Sequence, residues 1–285
     1  MCYLKAYDPL VTIIYFLCVM SVSVFTTNPI LQACSLFAGA AAAVFLKGRR
    51  SIKLLIGCTA VIAVMGATNP IFVHRGMTEL FKLGENSYTL ESLLYGVSLG
   101  CSIASLILWF SVFNSIVSQD DILAVFGKHL PKTALVISMI LAFIPKLRRK
   151  YTDLYHCSCG CGETRRKDLR RTSRLFTACM AYEAERVLDI SMAMKSRGYG
   201  LKNRTCAASR HFRAADLGAM AFILALTIVC YVYLGSGKLD YWFYPRLSPN
   251  GLCPVPQLCF FILCISPLFF IIKEKLIWRS YPANN

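Results

Sequence analysis

Five stretches of the chain contain no aspartate, glutamate, lysine or arginine: Leu10–Leu46, Leu54–Val73, Ser92–Gln119, Leu217–Gly237 and Leu247–Ile272. Ionisable groups inside a membrane usually mark chemistry or an ion path. Their absence argues against a membrane-embedded enzyme and against a hydrophilic path lined by this chain alone. Acidic residues are scarce throughout, 15 against 31 basic ones. No G-x-x-x-x-G-K-[ST] sequence occurs, so the chain is not expected to be an ATP-hydrolysing subunit. The first apolar run is too long for a signal-peptide core and no small-residue cleavage site follows it, so it reads as a span. No long-period repeat is visible; only Thr-Asn-Pro recurs, at 27–29 and 68–70, each where a span would end in a turn.

What is present is oil and positive charge. The chain has 285 residues, is 56% hydrophobic and carries a net charge of +16, with a mean hydropathy of +0.54. Apolar spans joined by basic loops account for both properties at once. A helix needs about 20 apolar residues to cross a hydrocarbon core of about 30 Å. Six spans follow, at 10–26, 30–46, 54–73, 93–116, 217–235 and 256–272. Of fourteen cysteines, Cys18, Cys34, Cys58, Cys101, Cys230, Cys259 and Cys264 lie in apolar runs, where cysteine acts as a small hydrophobe. They do not form the framework of a secreted disulfide protein.

Charge sets the orientation. Lys47, Arg49, Arg50 and Lys53 follow the second span, Lys273, Lys275 and Arg279 follow the last, and segment 146–216 holds seventeen Lys/Arg against seven Asp/Glu. Segments 74–92 and 236–255 each hold only two basic residues. The positive-inside rule places both termini and the basic segments in the cytoplasm. Tyr241-Trp242-Phe243-Tyr244 then falls at the outer interface as an aromatic belt. The apolar run Thr133–Pro145, at thirteen residues, is too short to cross and suits an interfacial or buried helix. The expected fold is therefore all-α and polytopic. A four-span membrane part (1–117) precedes a cytoplasmic unit (118–213) and a two-span membrane part (214–285).

Within the cytoplasmic unit, Ser118 or Asp120 suits a helix cap. Pro131 suits the first position of a long helix that turns basic at Lys146 and ends near Gly160-Cys161-Gly162. The stretch 165–171 reads as a turn or a basic helix start. Another helix, about 168–197, shows an apolar stripe of Phe176, Met180, Ala184, Val187, Ile190 or Ser191, and Met194, with Arg174, Glu183, Glu185 and Asp189 mostly off it. Gly198 suits the left-handed position beyond its end. That leaves Arg197 in the last turn, where the helix dipole favours a cation. On these features alone, Arg197 is a helix cap, a lipid contact or a docking group.

The run Asn69-Pro70-Ile71-Phe72-Val73-His74-Arg75-Gly76, then Tyr88–Gly96, Trp109–Asn114, Ser138–Pro145 and Ser191–Leu201, with Asp8-Pro9 near the start, resembles the transmembrane T component of energy-coupling-factor (ECF) ABC transporters, relatives of cobalt-transport permeases. The likeness covers nearly the whole chain, in order. It implies a membrane scaffold whose two long cytoplasmic coupling helices each end in a small-Arg-Gly motif. Each motif docks on one of two ABC-type ATPase subunits, and the membrane part holds a substrate-binding S component for vitamin or metal-ion uptake. Ser196, Arg197 and Gly198 match the second motif, with serine for the usual alanine. The first motif corresponds to Ser158, Cys159 and Gly160, with cysteine where arginine is expected; Arg165 and Arg166 lie just beyond. On this reading Cys159→Arg maintains or strengthens docking.

The resemblance implies a multi-pass protein of a prokaryotic plasma membrane that is not an enzyme, needs no cofactor and has no nucleic-acid partner. A cobalt or nickel permease subunit dedicated to one system belongs to the same family. Outside it stand the embedded enzyme already argued against and a protein whose basic segment binds anionic lipid of the bilayer. His156, Cys157, Cys159 and Cys161 invite a metal reading. Alternate residues of a helix point about 200° apart, however, and structural zinc sites pair C-x₂₋₄-C units from two segments, so no metal is expected. His74 and His129 read as structural or solvated. The small residues Ser98, Gly100, Ser102 and Ser105, with Asn114, suit spans that grip another membrane protein.

Overall fold

The computed structural model describes residues 8–73, 77–83, 86–160, 169–200, 214–237, 239, 241–243 and 254–280. His74, Arg75, Gly76, Cys161, Gly162, Arg165, Arg166 and Tyr244 lie outside these, as does the side chain of His129. The described chain is helical apart from one short hairpin. In order it forms α1 (Pro9–Phe25), α2 (Pro29–Lys47), a 3₁₀ turn (Gly48–Arg50), α3 (Ser51–Phe72), β1 (Glu79–Leu83), β2 (Asn86–Thr89), α4 (Leu90–Ile116), α5 (Gln119–His129), α6 (Pro131–Gly160), α7 (Leu169–Ser196), α8 (Ala214–Gly235) and α9 (Pro254–Ser280). Three helical stretches are long and apolar enough to cross a membrane: Pro29–Phe72, Leu90–Ile116 and Asp216–Gly235. Pro9–Phe25 and Pro254–Pro267 are shorter apolar helices. The chain divides into two compact units, one of residues 1–122 with 210–285 and one of residues 123–209.

Local chemistry explains the helix starts. Asp8 caps α1, its carboxylate accepting from Leu10 N at 3.2 Å, with Pro9 in the first turn. Asn28 caps α2 in the same way, accepting from Ile30 N at 3.1 Å ahead of Pro29. Each satisfies an amide that a helix start leaves orphaned. The second Thr-Asn-Pro behaves differently: α3 continues through Pro70 to Phe72 instead of turning at 68–70. Asn69 does not cap. Its Nδ2 donates to Ser92 O at 2.6 Å and to Ser92 Oγ at 3.2 Å, while Ser92 Oγ donates to Val73 O at 2.7 Å. The side chain that would have opened a turn instead ties α3 to α4.

The hairpin departs from the all-helical expectation. β1 and β2 pair antiparallel, with Lys82 opposite Ser87 and Leu83 opposite Asn86. Glu91, buried in the first turn of α4, holds its base: the carboxylate accepts from Thr78 N at 3.2 and 3.4 Å, and Leu90 N donates to Thr78 O at 3.1 Å. The sequence does carry a signal, two short runs around Gly84-Glu85, of the kind that marks a hairpin.

The small and polar residues of the apolar helices are used inside the chain. Gly96 and Gly100 sit one turn apart on α4, against α3. A Cβ on Gly96 would lie 2.7 Å from Met65 O, and one on Gly100 would lie 2.8 Å from Ile62 Cα. The pair is a small-xxx-small contact of the kind that lets helix backbones approach in lipid. On another face of α4, Ser102 Oγ donates to Ser23 O at 3.1 Å and Trp109 Nε1 donates to Ser35 Oγ at 3.0 Å. Ser35 Oγ is 2.8 Å from Ser23 Oγ, so α1, α2 and α4 share one polar seam. Gln32 completes it: Nε2 donates to Thr26 O at 2.9 Å and Oε1 accepts from Ser98 Oγ at 2.5 Å. Ser98, Gly100 and Ser102 thus grip neighbouring helices within the chain, while Ser105 Oγ donates to Ser102 O of its own helix at 2.8 Å. Gln32→Leu removes two such bonds, each worth about 0.6 kcal/mol. A Tm lowered by a few degrees in detergent is the expected result, and an unchanged Tm would show that the seam does not stabilise the unit.

Tyr15, Phe16, Trp109 and Phe113 meet edge-to-face beside that seam, with centroids 5.2 to 6.5 Å apart. Tyr15 OH donates to Leu263 O of α9 at 2.8 Å. The expected aromatic belt is only partly a surface feature. Trp242 is exposed, whereas Phe243 is buried against Tyr95 and Tyr241, at 5.3 and 4.8 Å.

Candidate docking ends of the long helices

The second unit is built around α6 and α7, and α5 leads into it. Ser118 caps α5, not Asp120: Ser118 Oγ accepts from Asp121 N at 3.3 Å, and the Asp121 carboxylate accepts from Ser118 N at 3.0 Å. This reciprocal box satisfies two orphan amides. α6 runs through Pro145, whose ring leaves the Leu141 carbonyl without its usual donor.

α6 and α7 pack antiparallel, as three contacts along their length require. Cys179 Sγ lies 3.9 Å from Leu147 O, Lys150 Nζ sits 4.1 Å over the Tyr182 ring, and Arg171 reaches Ser158 and Cys159. The face of α7 that packs is not the expected apolar stripe. Arg171, Cys179 and Glu183 are buried and Leu175 is half-buried, at steps of four residues, whereas Phe176 and Val187 are 53% and 50% exposed. Glu183, expected off the packed stripe, is 3% exposed, and its Oε1 lies 3.8 Å from Arg186 Nη1. Burial pushes the Cys179 thiol up, the Glu183 charge adds to this and Lys150 opposes it. Burial thus favours the neutral thiol over the thiolate.

At the C-terminal end of α7 the chain closes with a glycine cap. Gly198 adopts φ 79°. Its N–H donates to Lys195 O at 3.0 Å, and Tyr199 N donates to Met194 O at 3.0 Å. These two bonds define a Schellman motif, with Gly198 in the left-handed position that a side chain would strain. Arg197 is the cap residue itself, its N–H still bonded to Ala193 O at 3.2 Å, and its side chain is exposed. Ser196 Oγ donates back to Ala193 O at 2.9 Å. The second motif is thus a finished helix tip carrying a five-donor cation, able to accept a carboxylate on two parallel bonds.

The first motif is built otherwise. Ser158, Cys159 and Gly160 form the last turn of α6. Ser158 Oγ donates to Tyr155 O at 3.0 Å and accepts from Arg171 Nη2 at 2.6 Å. The same Nη2 is 3.0 Å from Cys159 Sγ, and the guanidinium lies 4.9 Å over the Tyr155 ring. Arg171 is 6% exposed. In sequence it is one residue of the basic stretch 165–171, which reads as a turn or a basic helix start. The pairing of two helices was needed to find it. His156 lies edge-on to Tyr155, and both it and Cys157 are exposed, whereas Cys159 is partly buried beside Arg171.

Compared with known proteins, the chain matches no family model and no curated protein.

Proposed function

We propose that the chain is the transmembrane coupling scaffold of an ECF-type ABC importer in a prokaryotic plasma membrane. It passes ATP-driven movement of two ATPase subunits to an S component that carries a vitamin or a metal ion. The observation that carries this reading is the end of α7: an exposed arginine fixed at the cap of a long, glycine-terminated helix. The ordered family-like motifs support it, as do the three helical stretches of spanning length. The reading takes all six apolar helices as spans, with both termini in the cytoplasm. The exposed apolar residues of α6 and α7, among them Ile140, Ile144, Phe176, Leu188 and Met192, suit a coupling element that presses on another protein. ATP binding would move the docked tips and, through these helices, tilt or release the S component.

The test is purification of the tagged chain from its own membranes in mild detergent, with partners identified by mass spectrometry. Two subunits bearing the G-x-x-x-x-G-K-[ST] loop and one small membrane protein are the expected companions. Their absence from a chain that purifies intact would refute the scaffold reading.

A further inference from the structure

The first docking end lacks an arginine in sequence and has one in space. Arg171 stands in the first turn of α7, where its charge opposes that helix's own dipole. Its guanidinium reaches instead to the C-terminal turn of α6, the end where a cation is favourable. It is held there by Ser158 Oγ, Cys159 Sγ and the face of Tyr155. Ser158 receives it well, because the hydroxyl proton already goes to Tyr155 O and leaves the oxygen lone pairs for Arg171. The contact is buried, so this guanidinium does not itself reach a partner. The last turn of α6 around it is neutral: Cys157 and Gly160 are exposed and Ser158 and Cys159 partly so, while Arg170 and Arg174 are exposed beside it on α7.

We propose that Arg171 is the positioning residue of the first ATPase-docking site, standing in across the helix pair for the arginine absent at 159. The proposal rests on the scaffold reading given above. The two docking ends then differ in kind. The α7 tip offers a cation to an acidic groove. The last turn of α6 offers neutral hydrogen-bonding groups, with a cation from α7 underneath. The contact also reverses an expectation drawn from sequence. Cys159→Arg alone would place a second guanidinium where the first already sits, and like charges would push the helix ends apart.

The experiment counts ATPase subunits per tagged chain after purification from native membranes in mild detergent. Wild type is expected to retain two and Arg171→Gln one. Arg171→Lys keeps the charge but loses the flat guanidinium that lies over the Tyr155 ring, so it is expected to retain between one and two. Cys159→Arg alone is expected to lose the second subunit, and Cys159→Arg combined with Arg171→Gln to regain it. Retention of one subunit by Arg171→Gln shows that the helix pair is still folded, and recovery in the double variant shows that this end needs a guanidinium, from either helix. Two subunits on Arg171→Gln, loss of both, or no recovery in the double variant each overturns the proposal. A wild-type chain that brings down no ATPase refutes the scaffold reading itself.

Discussion

Arg197→Glu is expected to leave the chain inserted in its membrane and to abolish both stable binding of the ATPase at the α7 tip and transport. The backbone cap does not depend on the side chain: Gly198 and Tyr199 still close the last turn through Lys195 O and Met194 O. The helix itself loses only a favourable end charge, worth about 0.3–1 kcal/mol. The binding loss is larger. Removing one partner of a hydrogen-bonded charge pair at an interface costs about 2–5 kcal/mol, which is roughly 30-fold or more in affinity, and glutamate adds repulsion from the partner's acid. Arg197→Lys separates charge from shape. It keeps one positive charge, loses the bidentate fork and should fall between the two. Wild-type yield of the ATPase on the glutamate variant would remove docking as the role of this helix tip.

Gly96→Val is expected to be the most damaging single change in the first unit. A Cβ there meets the Met65 carbonyl oxygen and Asn69 Cβ, each at 2.7 Å. Neither can retreat cheaply, since one is backbone and the other belongs to the residue that bonds Ser92. The two helices must separate, and overpacking of this kind costs about 1–3 kcal/mol, occasionally more. Separation also strains the Asn69–Ser92 bonds and the neighbouring contact at Gly100, so the effects will not simply add. Gly57 on α3 is the control. A Cβ there meets nothing within 4 Å, so Gly57→Val should leave Tm and detergent-solubilised yield near wild type. Equal behaviour of the two variants would show that the α3–α4 approach does not limit stability.

Much of the helical frame was legible because charge-free length is a strong signal. The runs near 10–26, 30–46, 93–116 and 217–235 each coincide with a helix to within a few residues. The end of α7 was legible too, since a glycine behind a periodic run carries its own conformational reason. What was not legible depends on pairing. Asn69-Pro70 has the local chemistry of a turn, yet the nearby Ser92 decides its use. The α7 stripe at Phe176 and Val187 has helical period, yet the packed side is Arg171, Cys179 and Glu183, because packing against α6 selects by register and shape. Arg171 sits in a basic stretch with nothing local to set it apart, and only the antiparallel register brings it to Ser158.

The burial along α7 has a mechanical consequence. Its buried residues, Arg171, Cys179 and Glu183, all lie within its first fifteen positions; from Ala184 to Ser196 only Met194 is even partly covered. A rod clamped near one end is a lever with unequal arms. At about 1.5 Å per residue, Arg171 lies about 12 Å from Cys179 and Arg197 about 27 Å from it on the other side. A small tilt about that fulcrum therefore swings the Arg197 tip through roughly twice the arc of the Arg171 end, by that same spacing. Of the two helix ends, the one with the outward cation has the longer throw.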